Sequence, residues 1–325
     1  MRHSVRAAGK RLAAGARIAL AAFAAAAALH VHARAVDDAP TGLLAPQGVI
    51  VGGFAAPAAM KPGRPARGGY VKLIFPSSVA AVHTDLFVAD SGQGLLLRID
   101  TMSRSIAKLA ALPTLPDVRL KAAPDGTVYV LRPDRRDVVR LTRDGRELGS
   151  FGSDFEILRP SDLVVEPTLN RVWVADAAGG VFAFHPSGRM SEPLAGRGDG
   201  FASDESGATL LAAGRLGVVG IDPRCRCVIV FDRNGAVAGR FGEGELINPS
   251  AIALDDHDRV WVIDRGDRRL KVFDGVRLAF AISAPRLGLV DFSAIAIDAH
   301  RAYVADGPGG KIGVFSVLAP AGRTR

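Results

Sequence analysis

From residue 70 onward the chain is built of apolar runs four to six residues long, separated by turns rich in Gly, Pro and Asp. Runs this short, wholly apolar or alternating, predict β-strands rather than helices. One pattern recurs: a small polar entry, an apolar run, a polar turn, then an apolar or aromatic triplet closing on Asp. Residues 76–80 (PSSVA) lead to 86–90 (LFVAD), and 160–164 (PSDLV) lead to 172–176 (VWVAD). Residues 249–253 (PSAIA) lead to 260–264 (VWVID), and 292–296 (FSAIA) lead to 302–306 (AYVAD). Weaker copies lie at 128–132 (VYVLR) and 218–222 (VVGID). The closing positions 90, 132, 176, 222, 264 and 306 are spaced by 42 to 46 residues.

Each unit holds four strand-like segments. In the fifth they are 251–254, 260–263, 269–273 and 278–282, divided by the turn sequences DDHD, RGD and DG. Four-stranded units at this period predict a β-propeller, because one twisted blade cannot bury both of its faces alone. The expected class is all-β: a six-bladed propeller of four-stranded antiparallel blades. The last unit ends after its third strand, so a strand from near the N-terminus, either 70–75 or 48–52, is expected to complete the sixth blade and remove two open edges. The expected boundaries are a signal at 1–35, an extended Pro/Gly/Ala-rich leader at 36–69, the propeller at 70–317 and a tail at 318–325.

The Pro-Ser entry, the apolar-Tyr/Trp-Val-Ala-Asp second strand and the Arg ahead of a Val-Phe-Asp third strand resemble the NHL repeat family. That resemblance covers residues 70–317 and implies a six-bladed ring. It says little about chemistry, since the family holds binding modules and a few enzymes, among them an amidating-lyase-like enzyme with a histidine-held metal. Two units depart from the pattern: Arg132 stands where the repeat has Asp, and the fourth unit lacks the Pro-Ser entry and carries Cys225-Arg226-Cys227.

Composition changes the picture at one point. The chain has 325 residues, is 48% hydrophobic and contains Gly 37 and Pro 19, which fits a large turn-rich core rather than disorder or a helical bundle. A net charge of +8 suggests an anionic macromolecule as partner. Six of the 41 basic residues, however, lie in residues 1–35 beside no acid, which leaves 35 bases against 33 acids. That segment has five cations before residue 18, a 14-residue apolar run at 18–31 and Ala33-Arg34-Ala35, the order of a secretory signal cleaved after Ala35. The run is short of the roughly 18–20 residues that span a bilayer, and an uncleaved anchor is the alternative. A bacterial, periplasmic or secreted protein is expected, with no stable membrane span once the signal is removed. Near-neutral charge, few aromatics and export all argue against nucleic acid.

Three groups of residues are candidates for chemistry. His83, His257 and His300 occupy the same turn, between first and second strands, in units one, five and six, which are consecutive in a closed ring. With Asp256, Asp258 or Asp298 nearby, they are the place where a divalent metal, zinc or calcium, would bind, although solvated turn residues are the simpler reading and no cofactor is required. Arg132, Arg135, Arg136, Arg265 and Arg268 follow the second strands of units two and five, on the opposite rim. Together with Arg98, Arg140 and Lys311 they would make a cationic mouth for an acidic peptide, carboxylate or anionic glycan. The repeat aspartates read as blade supports. Cys225 and Cys227 read as thiols in preference to a very small bridged ring. No phosphate loop, nucleophile elbow or H-E-x-x-H helix is present. The sequence therefore favours a monomeric binding or scaffold module for a protein, peptide or glycan. The alternative is a metal-assisted lyase or lactonase-like hydrolase at the channel mouth near the three histidines.

Overall fold

The structure, a computed structural model, describes residues 42–55, 69–112, 118–152, 157–167, 171–178, 180–195, 207–215, 217–232 and 235–319. The expected signal at 1–35, part of the leader and the insertion at 196–206 lie outside the described residues. No helix among the described residues is long and apolar enough to cross a membrane.

Six antiparallel sheets follow one another along the chain, as the period of the sequence requires. Blade five is typical: Pro249–Leu254, Val260–Asp264, Arg269–Asp274 and Arg277–Ser283 pair in sequence order. Blade one begins with Pro76–Val82, blade two with Arg119–Ala122, blade three with Pro160–Glu166, blade four with Leu210–Gly214 and blade six with Ala294–Asp298. Successive side chains point to opposite faces of a strand, and here both faces are covered. In blade five Trp261 packs toward blade six with Phe315, while Val260 and Val262 pack toward blade four with Ile221. One apolar cluster fills each gap between neighbours, and the cluster joining Leu86 and Val88 of blade one to Tyr303 and Ile312 of blade six closes the circle.

The closing strand is Leu44–Ile50, which pairs antiparallel with Lys311–Val317 at the outer edge of blade six. The propeller therefore starts inside the segment expected to be a leader. Tyr70–Lys72, the other candidate, pairs instead with Gly52–Ala55, which lies parallel to Ser105–Ala111 and widens blade one to six strands. Burial explains the choice: Leu44 is 0% exposed in the core between blades five and six, whereas Tyr70 is 53% exposed.

The repeat motif is a clamp. Asp90 accepts the backbone N–H groups of Ile74 and Phe75, Asp176 those of Leu158 and Arg159, Asp264 those of Ile247 and Asn248, and Asp306 those of Val290 and Asp291. Each carboxylate thus fixes the linker arriving from the previous blade. At the Pro-Ser entry the ladder shifts register, and the hydroxyls of Ser77, Ser161 and Ser250 donate to the carbonyl just before the repeat Asp. Blade two inverts the charges. Arg132 pairs bidentately with Asp137, its partner across the ladder, where blade six pairs Asp306 with Lys311.

Candidate functional site

First and third strands of a blade run in the same direction, so the turns after them share one rim. Turns after second strands, together with the linkers between blades, share the other. The three histidines lie on the first rim and the arginine turns on the second.

The histidine rim is linked from blade to blade. Arg215, in the blade-four turn, donates its backbone N–H to the Asp258 carboxylate of blade five at 3.1 Å, and its Nε lies 3.8 Å from the other oxygen. Asp256 of blade five lies 3.6 Å from Nδ1 of His300 in blade six. Asp298 of blade six accepts the backbone N–H of His83 in blade one. Burial holds the Asp298 carboxyl above the usual carboxylate range; Asp256 adds to this, while His83 and Arg301 oppose it. His83 and His300 thus face different carboxylates. Among the described residues, only Cys225, Cys227 and Glu243 bring three His, Cys, Asp or Glu ligand atoms within 4.8 Å of one another, so the three imidazoles do not form a ligand set. Beneath this rim, blades three and five carry matching buried networks. Asp255 holds Arg259 at 2.6 Å and Trp261 Nε1 at 2.8 Å, and Glu166 holds Arg171 and Trp173 likewise.

The central channel is narrow. Its main cavity, about 140 Å³, is lined by the first strands of all six blades, mostly by Ala, Val and Ile. Lys121 reaches across it to the carbonyl of Leu211 at 3.3 Å. Toward the arginine rim, Asp162 accepts the N–H of Leu211, and the buried Nε of Arg119 has no hydrogen-bond partner among the described residues. A larger cavity of about 650 Å³ lies outside the ring where blades six and one meet, beside the exposed Phe54, Tyr70 and Met102. Neither Arg119 nor this groove was singled out by the sequence, because neither repeats.

On the arginine rim every turn after a second strand bends at the same place, four residues past the closing position. There the backbone is left-handed: Gly94, Gly180 and Gly310 in blades one, three and six, but Arg136 (φ 54), Arg226 (φ 52) and Arg268 (φ 59) in blades two, four and five. Glycine adopts this geometry freely, whereas a residue with a Cβ is disfavoured by about 1 kcal/mol. Arg135, Arg136, Arg226, Arg265 and Arg268 are exposed. Asp291 lies 3.8 Å from Arg268, and Asp267 is taken up by the buried Lys271 at 2.7 Å. Arg132, expected in the mouth, is instead committed to Asp137. Arg98 pairs with Asp144 of blade two, Arg140 donates to the carbonyl of Pro186 in blade three, and Lys311 donates to that of Gly288; all three brace the structure rather than face a ligand. Arg226 stands between two cysteines in a unit that departs from the repeat, so nothing in the sequence marks it as the equivalent of Arg136 and Arg268.

Those cysteines are bridged, against the thiol reading. The left-handed Arg226 brings their Cα atoms to 5.2 Å, well within disulfide reach.

No protein-family model matches the chain, and no curated protein matches its sequence. Solved structures do resemble it. Virginiamycin B lyase from Staphylococcus aureus superposes with a TM-score of 0.54 at 12% identity, over 75% of this chain and 95% of that one. Hydrazine synthase from Kuenenia stuttgartiensis gives 0.55 at 12%, over 81% and 100%, and the WD40 propeller domain of Doa1 gives 0.55 at 13%, over 78% and 84%. At such identities the likeness shows the fold, a β-propeller that lyase and WD40 domain alike adopt.

Proposed function

We propose that the protein is an exported binding propeller, its blades of the NHL kind, whose arginine rim receives a carboxylate-bearing partner such as an acidic peptide or an anionic glycan. One observation carries the reading. Three blades place an exposed arginine at a left-handed turn position where the other three place glycine. A disfavoured backbone kept at equivalent exposed sites points to use of the side chain, and guanidinium is the donor best matched to carboxylates. Such rim charges mainly accelerate association and set specificity. The channel, with a main cavity of about 140 Å³, is too narrow to compete as a site for such a partner.

The test uses the secreted protein, with its N-terminus expected at Val36, and a fluorescein-labelled hexaglutamate peptide read by anisotropy at low salt. Binding is expected, and Arg135, Arg136, Arg265 and Arg268 all changed to Glu should weaken it by at least about tenfold. Absent binding, or equal affinity in the variant, contradicts the reading.

A lyase or lactonase-like hydrolase on the histidine rim has one observation in its favour. Asp298, whose carboxyl burial holds above the usual carboxylate range, accepts the backbone N–H of His83, and carboxyl–histidine pairs perform acid–base work elsewhere. Opening of a cyclic ester that is lost in both His83→Ala and Asp298→Asn would move the function to that rim.

A further inference from the structure

The blade-four turn poses a separate question. Blades two and five close the same turn, with arginine at the same left-handed position, and have no cysteine there. Blade four therefore does not need its bridge to form the turn. Nor does the bridge brace the fold at large, since it joins residues only two apart, and a loop that small removes little freedom from the unfolded chain. The cysteines are left to be explained by their chemistry.

A third donor is present. Glu243 stands on the linker between blades four and five, and its carboxylate lies within 4.8 Å of both sulfurs. Two thiolates on one tetrahedral zinc lie roughly 3.8 Å apart, so opening the S–S bond needs only a small separation to seat a cation. Cys225 is half-buried and Glu243 exposed, which gives a metal a path in, while Cys227 is buried and fixed at the start of its strand. The carbonyl of Asp222 lies 3.6 Å from Cys225 Sγ, a placement that suits a thiol donor.

We propose that Cys225, Cys227 and Glu243 form a redox-gated site for a soft divalent cation such as zinc, closed when the cysteines are bridged and open when they are reduced. A dithiol supplies the two electrons: its two S–H groups become a disulfide, the Cys225–Cys227 bond breaks, and two protons pass to the new thiols. Metal binding then releases those protons to solvent. Two sulfurs and one carboxylate leave a fourth position for water or a ligand atom. The site shares a rim with the arginines, but its chemistry is independent of theirs.

The experiment measures zinc bound by the full secreted protein, reduced with a phosphine and desalted without oxygen, against the untreated protein. The reduced form should take up one equivalent and the untreated form none. Cys225→Ser with Cys227→Ser should abolish uptake, and Glu243→Gln, at an exposed position that leaves folding intact, should weaken it by about tenfold. Circular dichroism confirms that each variant is folded. Reoxidation should expel the metal and restore a protein with no free thiol. Equal uptake by reduced and untreated protein, or uptake that survives the double serine change, overturns the proposal.

Discussion

The two rims of one ring carry ion pairs alike but differ in which cations stand exposed at disfavoured turns. On the histidine rim and just beneath it, cations and carboxylates meet between or within blades: Arg215 with Asp258, His300 with Asp256, Arg259 with Asp255. On the arginine rim the repeat aspartates hold linker N–H groups, and the arginines at the left-handed turns are exposed, Arg268 with Asp291 at 3.8 Å. A side chain that closes a gap between blades contributes to stability, whereas one exposed at a disfavoured turn lies where a partner can reach it. The contrast separates residues whose loss should unfold the ring from residues whose loss should only silence it.

The largest expected effect is on stability. Asp255→Ala leaves Arg259, 1% exposed, without its carboxylate and Trp261 without its acceptor, and should cost about 3–5 kcal/mol in urea unfolding. A loss below about 1 kcal/mol would show that these networks are incidental. Next comes Asp264. Burial alone would raise its pKa, but Lys271 and the N–H donors of Ile247, Asn248 and Gly266 prevail and hold it below 3.8. A carboxylate depressed in the folded state adds stability above its unfolded pKa and loses it as the pH falls through the folded value. Asp264→Asn should therefore cost about 2 kcal/mol at neutral pH, with the gap to the unaltered protein closing below about pH 3.8. A gap that stays constant with pH would mean that the charge is not what stabilises. The smallest effect belongs to His300→Ala, whose pair with Asp256 is exposed on both sides; thermal unfolding should register less than about 1 kcal/mol.

How much of this was legible in the sequence follows from which features repeat. The blades were visible because strands buried on both faces must be apolar at every position, and because five of the six units carry an Asp at the closing position, four of them holding two N–H groups of the incoming linker. The Pro-Ser entry was legible for the same reason, although its role as a register shift with a serine tie was not. Arg132 looked like a departure and proved to be half of an exchanged pair, since Asp137 stands opposite it across the ladder where blade six has Lys311 opposite Asp306. Closure by Leu44–Ile50 was ambiguous because Tyr70–Lys72 reads as the stronger strand; the decision lay in a core that sequence alone does not reveal. Strand direction separates the histidine turns from the turns after second strands, but Arg98 and Arg140 sit in third strands nearer the histidine rim, and the partners of Arg98, Arg140 and Lys311 lie across blades or linkers, beyond local pattern. The bridge between Cys225 and Cys227 depended on one backbone angle at Arg226.

The most direct measurement is a hydrogen-exchange footprint of the hexaglutamate complex. Protection is expected at residues 132–136 and 265–268, with residues 83–84, 256–258 and 299–300 unchanged. Protection confined to the histidine turns, with the arginine turns exchanging as in the free protein, would contradict the assignment of the binding face.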